Sequence, residues 1–230
     1  MVAKTTEPGV RGVKAKVFLV DDHAVVRSGL AQLINLQPDL VVCGEADDAP
    51  VALSGLANLR PQIAIVDISL RKDVGGIELI KTIADRFPTL LVLVLSMYDE
   101  VIFAERALRA GDKGYVMKAE SPETLLRAIR AVLRGDIYVS DATSKRIVSK
   151  TVGARGGASK LPQELLTDRE LEVLQSLGRG LGMSRIAKKL RLSVKTVETY
   201  RTRIRQKLSI PDSAALLEFA VEWFRSLERN

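Results

Sequence analysis

Cysteine and histidine each occur once in this 230-residue chain. One cysteine, Cys43, excludes an internal disulfide and suits a reducing cytoplasm. Within LVVCGEA it reads as core packing. One histidine, His23, cannot supply a His-rich metal centre alone. No apolar run approaches the roughly 18 residues needed to span a bilayer, so no membrane association is expected. The opening MVAKTTEPGVRGVKAK lacks the apolar stretch of a secretory signal. The chain also has no internal repeat.

Hydrophobic residues make up 47% of the chain, which predicts packed cores rather than disorder. The length suits one large domain or two small ones, at roughly 100–200 residues each. Charge divides the chain unevenly. Residues 1–134 hold 17 Lys+Arg against 17 Asp+Glu, whereas residues 135–230 hold 18 against 11, so the whole net charge of +7 lies in the second part. Such asymmetry suggests two domains, the second facing a polyanion. A solvated basic surface is the plainer account.

From 16 to 134, short apolar runs alternate with helical spacing. The runs are KVFLV (16–20), LVVCG (40–44), QIAIVD (62–67), LLVLVL (90–95) and GYVM (114–117). Helical spacing falls on Val26, Leu30, Leu33 and Ile34, on Ile77, Leu79, Ile80 and Ile83, on Ile102, Ala107 and Leu108, and on Leu125 to Leu133. The last of these opens with Ser121-Pro122-Glu123, an N-cap, a first-turn proline and an acid. The alternation predicts an α/β fold with a five-stranded parallel sheet covered on both faces. The pattern then breaks. Residues 136–164 read as a linker with one short helix near 141–149, its loosest part being GARGGAS. Residues 166–227 read as helical, with a capping box at Thr167-Asp168-Arg169-Glu170 and a stop at Gly178 and Gly180.

In an open α/β sheet, ligands bind beyond the carboxyl ends of the strands. Those ends carry Asp21 and Asp22, then Asp67, then Ser96, then Lys118, with Tyr115 inside the fifth run. Three carboxylates on one rim repel unless a cation joins them. All-oxygen ligands favour Mg²⁺, which pairs readily with phosphate. A hydroxyl and an ammonium opposite could grip a phosphoryl group. Each residue alone has a duller role as helix cap, turn former or exposed lysine.

In that order and spacing these residues resemble the receiver domain of response regulators over about 16–134. VFLVDDHAVVRSGL is especially similar to the NarL/FixJ class. The resemblance implies a flavodoxin-like doubly wound sheet with Asp67 as the phosphoacceptor, served by a sensor histidine kinase. It implies Mg²⁺ held by Asp21, Asp22, Asp67 and the Ser69 carbonyl, phosphoryl contacts from Ser96 and Lys118, and Tyr115 as the switch aromatic. Three positions depart from the family pattern. Arg71 stands where a proline is usual, SLRKDVGG is about one residue longer before Gly76, and Ala119 follows Lys118. A cis bond there would cost roughly 2.5–4 kcal/mol, so trans is expected.

In MSRIAKKLRLSVKTVETYRTRIRQKL (183–208), Ile186, Ala187 and Leu190 space one helix and Ser193 caps the next. In the second helix Val194, Val197, Ile204 and Leu208 share a face. Two helices joined by a tight turn read as helix-turn-helix. The second helix, about 24 Å long at 1.5 Å per residue, suits a major groove. Residues 185–207 hold nine Lys+Arg against one acid, Glu198. The whole stretch from LTDREL to RQKL is similar to the LuxR-type DNA-binding domain, which implies an all-α, four-helix unit. Its GLGMSRIA departs where the family often has a Lys-Glu pair. By resemblance and by the helical wheel, Glu198, Thr199 and Thr202 read bases, while Lys195, Thr196, Arg203 and Arg205 hold phosphates. Glu198 is alternatively a salt-bridge partner of Lys195 or Arg201. The last helix offers Leu216, Phe219 and Trp223 as a dimer contact.

These readings predict a flexible extension (1–14), a receiver (15–135), the linker (136–164) and a DNA-binding domain (165–230). The expected protein is a two-component response regulator that binds double-stranded DNA as a homodimer. It is no enzyme beyond Mg²⁺-dependent phosphorylation and dephosphorylation of its own Asp67. Two other readings stand beside it. A Mg²⁺-dependent phosphohydrolase would need a second acid two residues after Asp67, where Ser69 stands. A receiver serving as a phosphorylation-independent dimerisation module would leave DNA binding indifferent to Asp67.

Overall fold

The computed structural model describes residues 13–70, 75–153 and 162–228. Strands β1 (Ala15–Val20), β2 (Leu40–Ala46), β3 (Ile63–Val66), β4 (Leu91–Ser96) and β5 (Gly114–Met117) alternate with helices α1 (Ala24–Asn35), α2 (Ala49–Leu59), α3 (Gly76–Arg86), α4 (Glu100–Ala110) and α5 (Pro122–Leu133). All strand pairs are parallel, in the order β2-β1-β3-β4-β5. The chain steps from β1 outward to β2, then back across to β3. The crevice at this reversal, at the carboxyl ends of β1 and β3, is where such sheets bind ligands.

Alternate side chains of the central strands serve two cores, as a period of two requires. Phe18, Val20, Ala64, Val66, Val92 and Val94 pack under α2, α3 and α4. Val17, Leu19, Ile63, Ile65, Leu93 and Leu95 pack under α1 and α5. Burial on both faces is why LLVLVL carries no polar alternation. Ser121 caps α5 as expected, accepting from the Thr124 N–H. Asp48 does the same for α2 from the Val51 N–H. Helix α2 was not distinguished by spacing, because APVALSGLANL buries mainly small residues.

After α5 the chain returns along β5. The Tyr115 N–H donates to the Tyr138 carbonyl (2.8 Å) and the Tyr138 N–H to the Lys113 carbonyl (3.0 Å), one parallel bridge on the sheet edge. Helices α6 (Asp141–Gly153), α7 (Pro162–Leu165), α8 (Asp168–Gly178), α9 (Met183–Leu190), α10 (Val194–Leu208) and α11 (Ser213–Glu228) follow. The expected linker helix is thus longer, and α7 is an addition to it. All of GARGGAS except Gly153 lies outside the described residues, as do residues 1–12 of the N-terminal extension.

The Thr167–Glu170 capping box of α8 is present in both directions. Gly178 is the last residue of α8, as expected. A Cβ there would lie 2.5 Å from the Ala220 carbonyl oxygen and 2.6 Å from Phe224 Cβ, so the glycine lets α11 cross closely. Gly180, at φ +73°, makes the left-handed turn. Every residue of α8 from Glu170 to Leu177 is buried, although half of them are polar. One side packs within its own helical unit and the other meets the α/β unit. Arg106 of α4 donates to the Leu166 carbonyl (2.8 Å) and pairs with Asp168 (3.0 Å). No helix among the described residues is long and apolar enough to cross a membrane.

Candidate functional site

Asp21 follows β1, Asp67 follows β3, Ser96 ends β4 and Lys118 follows β5, so one rim of the sheet gathers all four. Asp67 is 1% exposed and Asp21 2%. Lys118 Nζ donates to Asp21 Oδ2 (2.6 Å) and Asp67 Oδ2 (2.7 Å). The Ser69 N–H donates to Asp67 Oδ1 at 2.8 Å. Burial pushes the Asp67 carboxyl up, against the opposing pull of Lys118. Burial works downward on Lys118, but the two carboxylates outweigh it and hold the ammonium charged.

Asp21, Asp22, His23 and Asp67 can each turn a ligand atom to within 4.8 Å of the others. Three carboxylates with one lysine leave the cluster net negative, and hard oxygen donors suit Mg²⁺. His23 is a member that sequence reasoning set aside. Its Nδ1 lies 2.9 Å from Asp22 Oδ1 and 3.2 Å from Asp21 Oδ1. The available signal was adjacency, since a residue next to an Asp pair at a strand end shares its loop.

Ser96 and Tyr115 meet at residue 98. The Tyr98 N–H donates to Ser96 Oγ (3.0 Å), and the Tyr115 hydroxyl donates to the Tyr98 carbonyl (3.0 Å). Burial lifts the Tyr115 phenol well above its usual range. Gly76 closes the other flank. A Cβ there would lie 2.2 Å from Ile68 Cα and 2.6 Å from the Asp67 carbonyl oxygen, so only glycine lets α3 start against the Asp67 backbone. Arg71 lies outside the described residues. No peptide bond among them is cis, Lys118–Ala119 included.

The second site is α10. Ser193 caps it, accepting from the Thr196 N–H at 3.0 Å. Val197 and Ile204 are buried, which turns Lys195, Glu198, Thr199, Thr202 and Arg203 to solvent. Thr199 and Thr202 donate their hydroxyls to the carbonyls of Lys195 (3.0 Å) and Glu198 (3.1 Å). What they keep for a partner is an acceptor oxygen and a methyl group. Glu198 forms no ion pair among the described residues, with Lys195, Arg201 or otherwise. Arg201 is half-buried and reaches Met183 Sδ (3.5 Å). Two expected phosphate contacts are partly engaged elsewhere. Thr196 shares the cap with Ser193 (2.8 Å), and Arg205 donates to the Pro211 carbonyl (2.8 Å). The expected dimer surface narrows. Leu216 and Trp223 point into their own domain core, which leaves half-buried Phe219 beside exposed Leu217.

Sequence reasoning missed a third group, where α8 meets the α/β unit. Arg169 Nη1 donates to Glu172 Oε2 (2.8 Å) and to the Tyr98 hydroxyl (3.3 Å). Burial lifts the Glu172 carboxyl despite Arg169. Local periodicity could assign these residues only to the side of α8 away from its own core.

Residues 17–130 match the family model described as the response regulator receiver domain. Residues 164–220 match the one described as bacterial regulatory proteins, luxR family. The oxygen regulatory protein NreC of Staphylococcus carnosus is 36% identical over 210 residues, which are 90% of this chain and 97% of that one. RcsB of Salmonella enterica serovar Typhimurium, solved bound to promoter rprA in the presence of the phosphomimetic BeF3⁻, is 28% identical at a TM-score of 0.58. That match covers 90% of this chain and 98% of the other. A structure of two RcsB dimers bound to two parallel DNAs is likewise 28% identical, at a TM-score of 0.54 over 93% and 98%.

Proposed function

This chain belongs to the two-component response regulators that join a receiver to a LuxR-family DNA-binding domain, and on that premise we propose that a sensor histidine kinase phosphorylates Asp67 to control dimerisation and operator binding. The observation that carries the reading is Lys118 Nζ at 2.7 Å from Asp67 Oδ2, in a buried cluster of carboxylates. In the transfer, a carboxylate oxygen of Asp67 bonds to phosphorus while the bond from phosphorus to the kinase histidine breaks. Lys118 then meets a phosphoryl oxygen, and Ser96 turns its hydroxyl to another. Asp21, Asp22, Asp67 and the Ser69 carbonyl would hold Mg²⁺, which offsets the charge of the incoming phosphoryl group. Tyr115 follows Ser96 as the switch aromatic.

On the DNA side, Glu198, Thr199 and Thr202 read base edges. Glu198 accepts from a cytosine amino group, and Lys195, Thr196, Arg203 and Arg205 hold phosphates. Phe219 and Leu217 of α11 contribute to a homodimer that spans half-sites roughly 34–36 Å apart or a multiple of it. RcsB dimers on DNA support this arrangement by likeness. The deciding experiment weighs the chain after incubation with Mg²⁺ and a small phosphodonor. One added phosphoryl group is expected on the wild type and none on Asp67→Ala. Binding to double-stranded DNA should fall with salt at a slope near −0.9 per neutralised phosphate.

One observation favours a second reading, a regulator indifferent to phosphorylation. With Asp67 unmodified, the base-reading residues of α10 are already exposed. Operator affinity unchanged in Asp67→Ala would select it.

A further inference from the structure

Helix α8 touches both loops that flank Asp67. On one side, Arg169 Nη2 donates to the Leu70 carbonyl at 3.5 Å, three residues beyond Asp67. On the other, Arg169 Nη1 donates to the hydroxyl of Tyr98, two residues beyond Ser96, at 3.3 Å. Tyr98 is tightly placed. Its N–H is committed to Ser96 Oγ, its carbonyl to the Tyr115 hydroxyl, and its ring stacks on Phe103 with centroids 5.0 Å apart. Two charged contacts run alongside, Arg179 with Asp99 (3.6 Å) and Arg106 with Asp168 (3.0 Å). The receiver-facing side of α8 is therefore polar yet buried. Interfaces between domains of one chain are commonly of this polar kind, and they permit relative motion.

We propose that Tyr98 and Arg169 form a latch coupling the phosphoacceptor loops to the docking of the DNA-binding domain. It rests on the reading of Asp67 as phosphoacceptor and names how that site is regulated. When Ser96 turns its hydroxyl to a phosphoryl oxygen, the Tyr98 N–H loses its acceptor. Residue 98 shifts, its hydroxyl leaves Arg169, and α8 loses its hold on one loop. The same charge at Asp67 rearranges the backbone at Ser69 and Leu70, where α8 holds the other. Coupling between two binding equilibria is reciprocal, so undocking α8 also favours the phosphoryl-bearing state of Asp67. Arg169 is thus a positioning residue for the phosphoacceptor loop, although it lies in the other domain.

The test uses the full chain carrying one dye in each domain, titrated with beryllofluoride in the presence of Mg²⁺. Tyr98→Phe keeps the ring on Phe103 and removes only the hydroxyl. Arg169→Lys keeps the charge but loses the two-pronged reach, and Tyr138→Phe serves as a control hydroxyl outside the latch. Each latch variant should shift the unliganded equilibrium toward the undocked form by roughly tenfold, as expected for a hydrogen bond to a charged group. Each should also tighten beryllofluoride binding by a factor no larger than that shift. The control should do neither. Unchanged interdomain distance in both latch variants overturns the latch. Undocking with no gain in beryllofluoride affinity overturns its coupling to Asp67. A wild-type chain that binds no beryllofluoride overturns that coupling together with the reading it rests on, and the unliganded distances then decide the docking contact alone.

Discussion

Glu170 and Glu172 stand two residues apart on α8, each with a side chain 2% exposed, and their carboxyls move in opposite directions. Burial works upward on both. For Glu170 it is outweighed, because Lys207 Nζ and the Thr167 N–H both donate to Oε2 at 2.7 Å. For Glu172 burial wins, because Arg169 divides its donors among Glu172, Tyr98 and Leu70. Glu170 takes all its partners from its own domain, whereas Glu172 depends on a cation shared across a boundary. A buried charge is a fixture in the first case and conditional in the second.

Removing the fixture should have the largest effect on stability. Glu170→Ala loses the capping box and the bond to Lys207, about 3 kcal/mol together. Denaturant unfolding followed by the fluorescence of Trp223, the chain's one tryptophan, would register the loss. The folded-state carboxyl lies below its usual range, so its stabilisation is full above that range and lost as pH falls through the folded value. The Ala variant should lack this acid-side loss.

Glu172→Gln should change docking by a smaller amount, about 1–2 kcal/mol, and should reverse the pH lesson. Docking lifts this carboxyl, so the docked state binds the proton more tightly. In the wild type, docking should weaken as pH rises from the ordinary carboxylate range toward the raised value. Arg169, Tyr98, Asp168 and Lys189 surround the group and are unchanged in the variant. Burial also raises the Asp168 carboxyl, which keeps its own contribution, so interdomain distance measured against pH should lose part of its slope.

The smallest change in stability belongs to the exposed helix. Glu198→Ala on α10 should alter folding by no more than about 0.5 kcal/mol. The same substitution should shift preference at a single base pair by about 1–3 kcal/mol, measured on operators that differ at one position. Exposure leaves Glu198 free to act on a partner and of little consequence to the fold, the opposite of Glu170.

The sheet was legible because burial on both faces writes uninterrupted apolar runs such as LLVLVL. Asp21, Asp67, Ser96 and Lys118 were legible because parallel strands deliver their carboxyl ends to one rim. Helix α2 escaped notice although Asp48 and Pro50 mark its start, since alanine and glycine give weak periodicity. Leu216 and Trp223 read as surface in the sequence because an amphipathic stripe does not say which partner covers it. Arg169 and Glu172 were beyond reach for the same reason. Polar residues on the outer side of a helix read as solvated, and what buries them here is a receiver more than 60 residues away in sequence.

The bridge at Tyr138 shields part of one edge of the sheet. Strand β5 is the last in the sheet, and its unpaired N–H and C=O groups would otherwise be a template for another chain. Tyr138 fills the start of that template, from Lys113 to Tyr115, with the chain's own backbone. A second chain therefore finds fewer free strand groups to pair with on this side. The chain is thereby less open to edge-to-edge aggregation along this side of the sheet.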